Sequence, residues 1–240
     1  MIPVTSGWTP YCGAAPGPAE LLSRWNADPV LLAALAAAAF WAARLPSDRR
    51  HFGIGAVALA TLLFASPFCA LTSALFSARA VHHVALVVGL APLIALTLRT
   101  RTLLSIVPAT IAGAAIFWMW HAPTVYGWAL SSDPAYWLMQ LSLTASAAIF
   151  WQAVFRAPPL AGVGALLATM VQMGLLGALI TVAPGPLYAP HAFGPQLWGV
   201  SPLEDQQLAG LIMWAPAAAL YLAAALLIAG RWLRGARQTI

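Results

Sequence analysis

Seven long, mostly apolar runs, separated by short segments that hold most of the charge, constrain this chain before any single residue is considered. They lie at about 29–45, 52–71, 80–98, 103–121, 135–155, 161–183 and 205–230. A span needs roughly 20 apolar residues to cross a hydrocarbon core of about 30 Å. Backbone in lipid must satisfy its hydrogen bonds within its own segment, which selects helices over open strands. At 62% hydrophobic and 7% charged residues, the 240-residue chain also lacks the polar surface to clothe a soluble globule. The expected fold class is all-α, a polytopic integral membrane bundle of about seven transmembrane helices. It forms a single domain over 29–235, with tails at 1–28 and 236–240.

The arginines then give the bundle a direction. Arg44, Arg49 and Arg50, then Arg99 and Arg101, Arg156, and finally Arg231, Arg234 and Arg237 occupy alternate connections and the C-terminal end. The positive-inside rule makes those regions cytoplasmic. The opposite regions hold only Arg24 and Arg79, together with Glu20, Asp28, Asp133, Glu204 and Asp205. The N-terminus is therefore expected outside and the C-terminus in the cytoplasm. The net charge of +5 is a topology signal, and no nucleic-acid partner is expected. The first twenty residues lack a basic start and a continuous apolar core, so no cleavable signal peptide is expected. That Gly-, Pro- and Ala-rich tail is expected to be translocated as an irregular segment.

Several helix starts can be read on the outer side. Asp28-Pro29 and Asp133-Pro134 each offer an N-cap followed by proline at the first helical position. Ser201-Pro202-Leu203-Glu204 reads as a capping box, so the last helix begins near Pro202. Pro92, Pro108 and Pro216 sit inside spans and are expected to kink or loosen them. Trp41, Trp118, Trp120, Trp128, Trp137, Trp151 and Trp232 lie near span ends, as an aromatic belt would place them.

With this orientation the metal-capable side chains gather outside. His82 and His83 fall near the outer end of the third span, His121 closes the fourth, and His191 lies in the outer loop before the seventh. Met139 and Gln140 occupy the second turn of the fifth span. Met213 shares a stripe with Gln206 and Gly210, and Met170 and Met173 share a face near mid-membrane. Imidazole, thioether and thiolate together suit Cu(I), whereas the carboxylate-rich sites of Mg or Ca are absent from the pattern. An outward-facing Cu(I) site is expected, led by His83 and His121, with Met213, Met139 and His82 as further candidate ligands. Methionine is also an ordinary core filler, while an ionisable residue within a span marks function by default. Function is preferred for His83 and His121, and packing for His82, whose ring points about a quarter-turn away; His191 is left open.

Cys12 in the tail and Cys69 near the outer end of the second span allow a disulfide, a copper relay or two unrelated thiols, and the last is the expectation. Glu204 is read as a cap. Asp205 and Gln206 fall in the first turn, where a carboxylate suits the helix dipole. Asp205 is open equally to capping, to pairing with Arg79 and to orienting a ligand histidine. Gly210 allows close helix approach. Neither Gly-x-Ser-x-Gly nor His-Glu-x-x-His occurs and no two acids pair within a span, so no catalytic residues and no enzyme are expected.

Three stretches resemble the CtaG-type cytochrome c oxidase assembly family: Trp120-His121-Ala122-Pro123, Leu187-Tyr188-Ala189-Pro190, and Ser201 through Asp205-Gln206-Gln207 to Met213-Trp214. The likeness runs over roughly 70–235 and includes Ala74 to Arg79 and on to His83. It implies a multi-pass protein of the bacterial inner membrane that helps to assemble a haem-copper oxidase, with copper delivery as its role. It implies an oxidase subunit, a periplasmic copper chaperone and membrane lipid as partners. By position it implies roles for His83, His121, Asp205, Gln206, Met213 and Trp214, with Trp120, Arg79 and Tyr188 beside the site or facing a partner. Arg79 stands where many members carry histidine. Trp137, Leu138, Met139 and Gln140 stand where members commonly carry another. Those departures imply a low-coordinate, transferable Cu(I) site. A metal-free assembly scaffold, a copper permease and a haem protein ligated by His83 and His121 remain as alternatives.

Overall fold

The computed structural model describes residues 10–98 and 104–237. Arg99 and Arg101, two of the arginines that set the expected topology, lie outside the described residues. The described chain is helical, without a strand. Its helices are α1 (Pro29–Ala43), α2 (Ser47–Phe64), α3 (Pro67–Ala74), α4 (Phe76–Val84), α5 (Ala91–Leu98), α6 (Ile106–His121), α7 (Pro123–Ala129), α8 (Asp133–Arg156), α9 (Pro159–Val182), α10 (Pro202–Trp214) and α11 (Pro216–Arg237).

Four stretches among the described residues are long and apolar enough to cross a membrane: Phe76–Leu98, Asp133–Arg156, Pro159–Val182 and Pro202–Gly235. Two bent pairs raise the number to six, α2 with α3 at 48° and α6 with α7 at 79°. Helix α1 has 15 residues, about 22 Å at 1.5 Å per residue, and so falls short of a hydrocarbon core by itself.

The bends come from local chemistry. Ser66 and Ala122 adopt extended conformations immediately before Pro67 and Pro123, as the clash with a following proline ring requires. Ser66 Oγ then accepts the amide of Phe68 and starts α3 afresh. Between α4 and α5 the backbone widens into a π-helical turn over Ala85–Leu90. In that register the carbonyl of Val87 would meet the nitrogen of Pro92, which carries no hydrogen. The indole of Trp151 donates to Val87 O instead, at 2.7 Å. Trp151 is thus a buried repair of the proline and not part of an aromatic belt. Pro108 falls in the first turn of α6, where it kinks nothing. Pro216 opens α11 after a break at Ala215.

Caps at Asp28 and at Ser201 with Glu204 form as the sequence suggests. The expectation for Asp133 is corrected: Ser132 is the N-cap of α8, without a side-chain bond, and Asp133 is the first helical residue. Arg79 also moves. It belongs to α4 inside the span Phe76–Leu98 and is fully buried, so it does not sit in a connection.

Helix α9 lies along α10 and α11, α10 packs on α4, α6 on α8, and α1 on α2. The α9–α10 crossing depends on glycine at both faces: a Cβ on Gly177 would come within 2.6 Å of Gly210 O. Around this bundle a ring of large apolar side chains, among them Val107, Ile111, Leu141, Val171 and Leu226, faces outward.

At one end, here called the tail end, the N-terminal segment is tied down. Cys12 and Cys69 form a disulfide across a sequence separation of 57, which replaces the expectation of two unrelated thiols. The two cysteines are far apart in sequence, and only the placement of the tail over α3 brings them together. Tyr11 stacks on Tyr136 and meets Trp137 edge-on, its hydroxyl donates to Asp28, and Trp198 donates to Pro16 O. The Tyr11 hydroxyl and Asp28 titrate apart: burial raises the phenol well above its usual value, while the bond from Tyr11 lowers the Asp28 carboxyl.

Candidate metal centre at the tail end of the bundle

Helix α4 positions the first candidate ligand, His83. Its first amides have no partner within the helix, and Leu75 at the N-cap offers no side-chain acceptor. Asp205 of α10 supplies one from across the interface. Its carboxylate accepts Phe76 N at 2.6 Å, Ser77 N at 3.1 Å and the Ser77 hydroxyl. Asp205 therefore caps a neighbouring helix, and in this structure it bonds neither Arg79 nor a histidine. With that start fixed, Arg79, His82 and His83 follow at i, i+3 and i+4 on one side of α4.

Helix α6 brings the second candidate, His121. It ends at His121 because Ala122 is extended before Pro123. The ring of His121 turns back so that Nδ1 lies 2.7 Å from Phe117 O. A carbonyl only accepts, so Nδ1 carries the hydrogen and Nε2 presents a lone pair. That lone pair points at His83 Nδ1, 3.4 Å away, with the rings crossed at 86°. Tyr188 donates to the free carbonyl of His121 at 2.8 Å, closing the helix end behind the site.

When His83 carries its hydrogen on Nε2, two lone pairs converge on one point, and a carbonyl already holds one of the rings in the ligating tautomer. When His83 Nδ1 donates to His121 instead, His83 Nε2 is left buried and without a partner. The same Nε2 atom is equally without a partner when it carries the hydrogen, so the 3.4 Å approach accommodates a hydrogen-bonded imidazole pair as well as two donors to a third body.

The remaining expected residues are distributed around this pair. His82 turns aside, edge-on to Phe64 at 5.1 Å and beside Phe68, with its ring centre 6.0 Å from that of His83. It approaches the Leu63 carbonyl without a hydrogen bond of normal geometry. Met139 and Met213 are fully buried in the apolar core. The Cβ of Met213 packs into the cleft opposite Gly177. Gln206 ties the loop before α10, accepting Leu187 N at 2.6 Å and donating to Ile180 O and Gly185 O. Trp120 is buried, bonded to Ser142 and stacked on Trp128. Trp214 lies half-exposed against Gly174 on the outside of the bundle.

Tyr126, Tyr136 and Phe76, which the sequence did not single out, complete the surroundings together with His191 and Tyr188. Tyr126 and His191 share a 2.7 Å hydrogen bond, and Phe76 stacks on Tyr188 at 3.8 Å. Burial holds His191 far below the usual imidazole range, at about 3, with the Arg79 charge adding to the effect. Tyr136 lies 3.5 Å from Arg79 Nη1 and 3.6 Å from Cys12 Sγ. The one signal that could have found these residues is tyrosine in the first turns of two adjacent outer helices.

The donor set decides which ions are accommodated. Both cysteines are spent in the disulfide, and no group of three or more His, Cys, Asp or Glu side chains converges among the described residues. A four-coordinate zinc site would need two further donors. Two neutral imidazoles on one point suit a soft monovalent ion of low coordination number.

Residues 99–235 match the model of the cytochrome c oxidase caa3 assembly factor family, Caa3_CtaG. That is more than half of the chain, and the chain belongs to this family. The match begins after α5, so His121, Tyr188 and Asp205 lie within it while Arg79 and His83 precede it. No curated protein and no solved structure matches the chain.

Proposed function

We propose, from membership of this assembly-factor family, that the chain holds Cu(I) between His83 and His121 and passes it to a haem-copper oxidase subunit on the periplasmic face. His83 Nδ1 and His121 Nε2 approach each other from two helices, with the tautomer of His121 already set, and this supports a shared ion. In this reading the protein is a multi-pass component of the bacterial inner membrane. Helix α1 completes seven spans, the N-terminus lies outside, and the protein has no turnover of its own. The arginine pattern supports this orientation. The Cys12–Cys69 disulfide supports it independently, because such bonds persist on the oxidising side of a membrane.

A two-imidazole site also suits transfer. It leaves room at the ion for an entering donor from the partner, so the new bond forms before both imidazoles leave and the ion is never bare. Met139 or Met213 assists only if the helices shift, since both are packed in the core. Trp214, exposed on α10, is the partner-facing residue of this scheme. A periplasmic copper chaperone would load the site from the same face.

The test is copper stoichiometry of detergent-purified protein loaded with Cu(I) under reducing conditions mild enough to spare the disulfide. Wild type is compared with His83→Ala/His121→Ala. A single copper per chain that disappears in the variant, with helicity unchanged, is the expected result. No copper in either protein would replace delivery by a metal-free scaffold role in oxidase assembly.

A further inference from the structure

Arg79 is the one fully buried cation among the described residues, and nothing in the chain neutralises it. Its relative exposure is 0%, and its Nε and Nη2 have no hydrogen-bond partner. Nη1 makes a long 3.5 Å contact to the Tyr136 hydroxyl, the guanidinium carbon lies 5.3 Å from the centre of that ring, and the Tyr126 hydroxyl is also beside the guanidinium. The other polar groups near it, Tyr126, His82, His83 and His191, are a phenol and imidazoles, none of which is an anion at neutral pH. Buried charges are normally paired.

The chain has only six acidic residues, and each can be traced. Glu20, Asp48, Asp133 and Glu204 are exposed. Asp28 caps α1 and accepts from Tyr11. Asp205 is the only buried one, and both of its oxygens are taken by the start of α4. Among the described residues, none of the six carboxylates is paired with Arg79.

We propose that the Arg79 guanidinium, through Nε and Nη2, binds a small monovalent anion, a halide or a short carboxylate, enclosed beneath the N-terminal segment. A bare guanidinium edge offers two parallel donors, the geometry that takes a carboxylate side-on or a halide between them. Arg79 is fully buried, and the Tyr11–Cys12 segment lies against its neighbour Tyr136, which argues for a small ion over a bulky lipid phosphate. The proposal does not depend on copper.

The test is thermal unfolding of the full-length, detergent-purified, copper-free protein. Chloride or formate is titrated against gluconate at constant ionic strength, with chloride NMR line broadening as a direct readout of binding. Wild type is expected to gain a few degrees, saturably, as ligand bound only by the folded state requires. Arg79→Met and Arg79→Gln are expected to unfold at a midpoint independent of either anion and to abolish the broadening. Saturation at a lower concentration by formate than by chloride assigns the site to carboxylates, and the reverse order assigns it to halides. A wild-type midpoint indifferent to both anions overturns the site, as does an equal dependence in the Arg79 variants. Should neither variant fold, Arg79→Lys keeps the charge but loses the fork and must move the anion titration to higher concentration. An unmoved titration there also overturns it.

Discussion

The two ends of the bundle hold themselves together by different means. At the tail end, polar side chains reach between elements: Asp205 to the start of α4, Tyr188 to the end of α6, Tyr126 to His191, Gln206 to the α9–α10 loop, and Cys12 to Cys69. Toward the middle and the opposite end, buried hydroxyls turn back on their own helices. Thr97 bonds to Leu93 O, Thr110 to Ile106 O and Thr169 to Ala165 O. Directional bonds between elements fix side-chain positions to fractions of an ångström. Apolar packing fixes only how closely helices approach. His83 and His121, from different helices, meet where the first kind of restraint is dense.

Removing restraints at each end measures this contrast. The largest effect is expected from Cys12→Ser/Cys69→Ser, about 4 kcal/mol from the entropy of the opened loop. Thermal unfolding would show it, and reductant should then do nothing further. A double variant as stable as wild type would mean that the tail contributes no restraint. Next, Asp205→Ala strips the cap from two buried amides and a hydroxyl, and about 3 kcal/mol is expected. Asp205→Asn should recover part of that, because one amide oxygen still accepts.

In the middle of the bundle, Trp151→Phe leaves Val87 O bare and should cost about 1–2 kcal/mol. Little or no change there would mean that the π turn tightens to an α register on its own. Acidification should act on the tail end alone. The folded state keeps His191 neutral down to about pH 3, whereas the unfolded ring protonates near 6.5. Its contribution is complete above pH 6.5 and is lost as pH falls toward 3, about 1 kcal/mol by about pH 5.5. His191→Gln should flatten that part of the pH profile. The smallest effect belongs to the opposite end, where Thr97→Val should stay within about 1 kcal/mol. A loss there as large as that of Asp205→Ala would erase the distinction between the two ends.

Local chemistry was legible in the sequence wherever it acts within a few residues. The caps at Asp28 and Ser201, the helix start at Pro202 and the small residue at Gly210 follow from short-range rules, and His83 and His121 were picked out as ionisable residues within spans. What escaped depends on residues far apart. Counting charge between apolar runs treats every arginine as a flank, so Arg79 was placed in a connection when its helix in fact begins three residues earlier. Asp205 was read against its own helix dipole, yet its partners are 128 and 129 residues away in sequence. The pairing of Cys12 with Cys69 required the path of the tail, and the repair of Val87 by Trp151 required a π turn that no period reveals.

The cystine also keeps a record of biogenesis. Cys12 leaves the ribosome before α1 and α2 exist, and its partner follows 57 residues later. The bond can close only once the intervening helices are in place and the tail has folded back over the start of α3. A chain whose first segment stays behind cannot form it. Oxidation of this one pair thus distinguishes molecules whose tail has reached α3 from those whose tail has not.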